Sequence, residues 1–98
     1  MNFVVPHQKR VDYIKRREEE ICGFFDRDFN DELVRLDFLR VLHQVKGNAK
    51  TFGFDDLGTI ALEVESEVKG SESFPKQEQI IHRLEEFKSM LSRFKQTL

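Results

Sequence analysis

SFPKQEQIIHRLEEFKSMLSRFKQTL, residues 73–98, is the stretch whose reading decides the fold. Within it Ile80, Leu84, Phe87, Leu91, Phe94 and Leu98 recur at alternating steps of four and three, the spacing that gathers apolar side chains on one face of a helix. Ser73-Phe74-Pro75 opens it, because a proline is tolerated in a first helical turn, where its missing N–H would have no intrahelical partner. A helix with one apolar stripe must bury that stripe against something.

Working outward, three further segments offer matching faces. Leu57, Ile60, Ala61, Val64 and Val68 predict a third helix that starts at Asp55 or Asp56, where negative charge suits the N-terminal end, and stops at Gly70. A second helix is expected from a cap at Asn30 or Asp31 to about Thr51, with Leu33, Leu36, Leu42, Val45, Ala49 and Phe52 as its stripe and Gly53 turning the chain. The first runs from about residue 7 to 25, with Val11, Ile14, Ile21 and Phe25 at helical spacing. Its middle, Lys15 to Glu20, is entirely charged, so this helix is expected to be the least buried of the four or to bend over the others. The two prolines, Pro6 and Pro75, lie towards the ends, and the connections are short and polar, with a loop expected over Lys69 to Lys76. The reading is all-α: an antiparallel four-helix bundle forming one domain over residues 1–98, with 1–6 as an N-terminal extension.

Composition narrows the function. The 98 residues are 39% hydrophobic and 35% charged, with ten Phe and no Trp, which suits a charged surface around a Phe- and Leu-rich core. Net charge is only −2, and the basic run at Lys15, Arg16 and Arg17 is answered at once by Glu18, Glu19 and Glu20, so a nucleic-acid surface is not expected. Cys22 is the single cysteine, which excludes an intrachain disulfide and a multi-cysteine metal site; its neighbour Ile21 points to burial rather than reactivity. No apolar run reaches the ~18 residues of a membrane span and no signal-peptide pattern opens the chain, so a cytoplasmic, non-membrane protein is expected. No Gly-rich phosphate loop is present. The chain is therefore read as no autonomous enzyme, without metal or cofactor of its own.

The chemistry-bearing stretch is His43-Gln44-Val45-Lys46-Gly47-Asn48-Ala49-Lys50-Thr51-Phe52-Gly53-Phe54. Residues three and four apart are neighbours on a helix, so Lys46 and Gly47 flank His43. A glycine inside a helix costs about 0.5–1 kcal/mol relative to alanine, and open access to the imidazole is one reason to carry it; close packing of another helix is the competing reason. His43 lies one step off the apolar stripe, on a face with Leu39, Arg40, Lys46, Gly47 and Lys50. His7 and His82 fall off any apolar stripe and read as solvated.

These residues match the pattern His-x-x-Lys-Gly-x-Ala-x-Thr-Phe-Gly-Phe, and on them the chain resembles the histidine phosphotransfer domains, in particular that of the chemotaxis kinase CheA. The resemblance is close over residues 31 to 70 and agrees only in pattern outside them. It implies that His43 accepts a phosphoryl group from the catalytic domain of a histidine kinase and hands it to an aspartate of a response-regulator receiver, which supplies the magnesium. It aligns an orienting glutamate with Glu65, with Glu63 as the alternative, and it supports Lys46 beside the phosphoryl oxygens. Residues around the histidine (Leu39, Arg40, Gln44, Lys50 and Phe54) are the candidates for partner docking. Asn48 and Lys50 depart from the small residues common in chemotaxis members, which bears on which partner is chosen. A monomer is expected, either free-standing or as part of a larger kinase. Two other classes remain: a bundle that only docks partners, and a structural bundle that self-associates through Phe54 or Leu39. A docking-only relic would have lost His43, Lys46 or Gly47, and all three are present.

Overall fold

The computed structural model describes residues 5–70 and 72–98. Among them the chain forms four helices: α1 His7–Phe24, α2 Glu32–Asn48, α3 Asp55–Gly70 and α4 Gln77–Thr97. α2 packs chiefly on α3, its neighbour across the short connection at 49–54, and α1 packs on α4, which brings the first and last helices of the bundle together. Residues 1–4 of the expected N-terminal extension, and Ser71 of the expected loop, lie outside the described residues. Lys69 belongs to α3 rather than to that loop.

The stripes of α3 and α4 are where the sequence puts them. Leu57, Ile60, Ala61, Val64 and Val68 are buried from α3, and Ile80, Leu84, Phe87 and Leu91 from α4, with Phe94 and Leu98 packed at the margin. Burial of each such large side chain is worth about 1.5–3 kcal/mol. α4 starts two residues after Pro75, where the backbone N–H of Lys76 donates to the Gln79 side chain at 3.2 Å. Gln77 then ties this end to the α1–α2 connection, accepting from the Phe29 N–H and donating to the Arg27 carbonyl, each at 3.0 Å.

α2 differs in phase. Asp31 caps it, accepting from the Leu33 N–H at 2.9 Å, but Leu33 and Leu36 are 72% and 57% exposed while Val34, Phe38, Val41, Leu42 and Val45 are buried. Phe38 sets that phase: its ring meets Phe24 and Phe29 edge-on at centroid distances of 5.3 and 5.2 Å, and only one helix phase puts it there. α2 also ends at Asn48, three residues short of Thr51. The chain then tightens into turns, with the Phe54 N–H donating to the Ala49 carbonyl at 2.9 Å and Gly53 at φ 86°, a left-handed backbone that favours glycine. Arg10 Nε donates to the Phe52 carbonyl at 2.8 Å and closes this corner against α1.

α1 is not the least buried helix. Its charged middle turns Arg17 inward, and Tyr13, Ile14, Ile21 and Phe24 are buried with it, whereas Phe25 is only half-buried. Arg17 is tolerated inside because its guanidinium donates to Glu20 at 2.8 Å and lies 5.2 Å from the centre of the Tyr13 ring.

Candidate functional site

His43 lies on the outer edge of α2, with 69% of its side chain exposed. Leu42 and Val45 turn into the core on one side of it, which leaves the imidazole on the boundary between α2 and α3. On α3, Val64 and Val68 are buried, and Glu65 sits between them in sequence with its side chain only 5% exposed. α3 lies close to α2 at Gly58, where a Cβ would stand 3.7 Å from Ala49 Cβ and 3.9 Å from the Lys46 carbonyl oxygen.

That approach brings a buried carboxylate to an exposed imidazole. Glu65 Oε2 is 3.5 Å from His43 Nδ1, and Glu65 Oε1 accepts from Lys46 Nζ at 2.6 Å. Lys69, one turn along α3, places its Nζ 3.8 Å from Oε2. The hydrogen bond from Lys46 holds the Glu65 carboxyl below the usual carboxylate range against the opposing effect of burial, with the charges of Lys46, Lys69 and His43 acting in the same direction as the bond. Oε2 is buried without a hydrogen-bond partner, so it stands as a ready acceptor facing the ring.

Glu63 is exposed, and Glu65 is the carboxylate that meets the histidine. Gly47 is exposed, and a Cβ built there meets nothing within 4 Å, so close helix packing does not account for it. Lys46 is not a freely solvated lysine: its ammonium is bound to Glu65. The docking candidates divide. Arg40 and Lys50 are exposed, with Arg40 Nη2 held to Asp37 at 2.5 Å. Gln44 is half-buried and accepts from Arg40 and Arg17 at 3.4 and 3.5 Å. Leu39 is half-buried against the core, and Phe54 is fully buried, its ring 4.8 Å from that of Phe94. Phe54 is thus core and unavailable for docking or self-association, because the corner at Gly53 folds it inward.

Three features escaped the sequence reading. Lys69 had a signal, the i,i+4 spacing from Glu65 on a helix. The exposed Leu33 and Leu36 had none, since their outward phase depends on the packing of Phe38, whereas the exposed Leu62 lies off the α3 stripe that the sequence spacing selects. The third is the Tyr13 hydroxyl, which donates to Asn48 Oδ1 at 2.6 Å and gives Asn48 a role in joining α1 to α2.

Of the other histidines, His7 is exposed at the start of α1, and His82 Nε2 lies 3.3 Å from Glu86, itself 38% exposed and shared with Arg83. Neither faces a buried carboxylate. Among the described residues no helix is long and apolar enough to cross a membrane, and no group of three or more His, Cys, Asp or Glu could hold a metal ion.

A family model of the Hpt domain matches residues 16–97, more than four-fifths of the chain. The chain belongs to the Hpt domain family. Hpt domains are phosphotransfer modules of phosphorelays rather than catalysts, and they work between kinases and receiver domains. The match takes in all of α2, α3 and α4, and hence the whole of the His43–Glu65–Lys46 cluster of this Hpt domain. Among curated proteins and solved structures none matches the chain.

Proposed function

We propose that His43 is the phosphoacceptor of this Hpt domain, that Nε2 is the attacking atom, and that residues 1–98 act as one monomeric, cytoplasmic module. The observation that carries the reading is the pairing of an exposed imidazole with a buried, ionised carboxylate at Nδ1. A carboxylate facing Nδ1 favours the tautomer with the proton there, which leaves the Nε2 lone pair free and pointed to solvent. Nε2 attacks the phosphorus of a donor supplied by a histidine kinase. The N–P bond forms as the bond to the leaving oxygen breaks, and Glu65 balances the positive charge on the ring. In the reverse sense an aspartate oxygen of a receiver attacks phosphorus, the N–P bond breaks, and the electron pair returns to Nε2. Lys46, one turn from His43, is placed to meet the phosphoryl oxygens, and Gly47 leaves their approach open.

The surroundings support direct docking of a receiver. A standard interface covers about 800 Å² on each partner, a disc of about 16 Å radius. Leu36 and Leu33 lie seven and ten residues before His43 on α2, about 10 and 15 Å along the axis, inside that disc. With Leu62 on α3 they give the exposed apolar anchors, flanked by Arg40 and Lys50. The sequence motif around His43 supports a chemotaxis-type, CheA-like relay as the setting.

Incubating the chain with a histidine kinase and ATP, then adding a receiver, tests the proposal. Acid-labile, base-stable phosphate should appear on the chain and leave it when the receiver is added; a chain that never becomes labelled by any kinase tried with a positive-control Hpt domain would refute it.

A further inference from the structure

Lys46 has two anions to serve. Its ammonium is bound to Glu65 Oε1 at 2.6 Å, yet it is also the cation one turn from His43, where a phosphoryl group would bring close to two negative charges. Drawn towards those oxygens, it holds Glu65 less firmly at the step when Glu65 must still face Nδ1. Lys69 approaches the same carboxylate from the other side, with Nζ 3.8 Å from Oε2, the oxygen that faces the imidazole and lacks a hydrogen-bond partner. It rises from α3 four residues after Glu65, so helix geometry keeps it in reach whatever α2 does. Its side chain is 61% exposed, which leaves it free to close the remaining distance.

Resting on the reading of His43 as phosphoacceptor, we infer that Lys69 is a positioning residue: a second ammonium that keeps Glu65 ionised and aimed at His43 Nδ1 when Lys46 is drawn to the phosphoryl group. The two lysines are thus partly redundant in the unloaded chain and distinct in the loaded one. Of the two, Lys46 is the one that shares the α2 face with His43, and Lys69 reaches the carboxylate from α3.

The test uses Lys46→Gln, Lys69→Gln, the double variant and Lys69→Arg, with ¹⁵N NMR of the His43 ring reporting the tautomer in the unloaded chain. Each single variant should keep the proton on Nδ1, and the double variant should lose that preference. Loss already in Lys46→Gln, or retention in the double variant, overturns the inference, and this arm does not depend on phosphorylation. In the loaded chain Lys69→Gln should slow transfer to the receiver roughly two- to fivefold, the scale of one exposed ion pair, and Lys69→Arg should restore it. Transfer at the parental rate in Lys69→Gln, or an arginine variant as slow as the glutamine one, equally overturns it. A parent chain carrying no phosphate on His43 would refute the functional reading instead.

Discussion

Gly47→Ala separates access from packing. Nothing lies within 4 Å of a Cβ at this position, so the added methyl meets only solvent and the substitution acts through helix propensity and chain entropy. Alanine is favoured over glycine by about 0.5–1 kcal/mol in a helix interior. Position 47 is the penultimate residue of α2, where fraying reduces the gain, so we expect about 0.5 kcal/mol of stabilisation. For a domain of this size that is a rise of roughly 2–4 °C in Tm, measurable by circular dichroism. The same methyl stands beside His43 on the helix face, so phosphoryl exchange with a receiver should be slower, and Gly47→Leu slower still. Rapid-quench transfer assays normalised to folded protein read the second effect. A lowered Tm together with an unchanged transfer rate would refute the access argument.

Further expectations follow from the same geometry. His43→Gln should abolish phosphoryl acceptance and change Tm by no more than a degree or two, since the side chain is largely exposed; continued labelling would move the acceptor to His7 or His82. Glu65 has a folded-state pKa held below its ordinary 4.5, so it contributes stability that is complete above that value and is lost as pH falls through the depressed one; denaturant melts should show this acid loss in the parent and a smaller one in Glu65→Gln. Tyr13 is the single tyrosine, and burial pushes its hydroxyl up to about 12. The native chain should therefore develop phenolate absorbance only near that pH and the unfolded chain near 10. Because the folded form holds this proton more tightly, stability should fall as pH rises from 10 towards 12. Tyr13→Phe should cost about 0.5–1.5 kcal/mol through loss of the hydrogen bond to Asn48, checked by urea melts.

What could be read from sequence alone depended on where each residue's environment is set. α3 and α4 were legible because their stripes are clean and local: every apolar position from Leu57 to Val68 and from Ile80 to Leu91 that the period selects is buried. α2 offered more apolar residues than one stripe holds, and the choice between Leu33 and Leu36 or Val34 and Phe38 is made by rings from α1 and the following connection. No local period contains that information. Phe54 fails for the same reason: its burial depends on the turn at Gly53 and on Phe94, forty residues on. The charged middle of α1 misled although both partners of Arg17, Glu20 and Tyr13, lie at helical spacing on the same helix, because which face of α1 turns inward is set by packing against the other helices. At the site, His43, Lys46 and Gly47 were legible as neighbours on one helix. Choosing Glu65 over Glu63 from the residues alone needed the phase of α3 against α2, and the resemblance supplied that before the structure did.

The most direct test is the atom that carries the phosphoryl group. Phosphorylated chain, uniformly ¹⁵N-labelled, should show a ³¹P–¹⁵N coupling to His43 Nε2, with the Nδ1 proton protected from exchange by Glu65. Phosphate on His43 Nδ1, or on His7 or His82, would contradict the account.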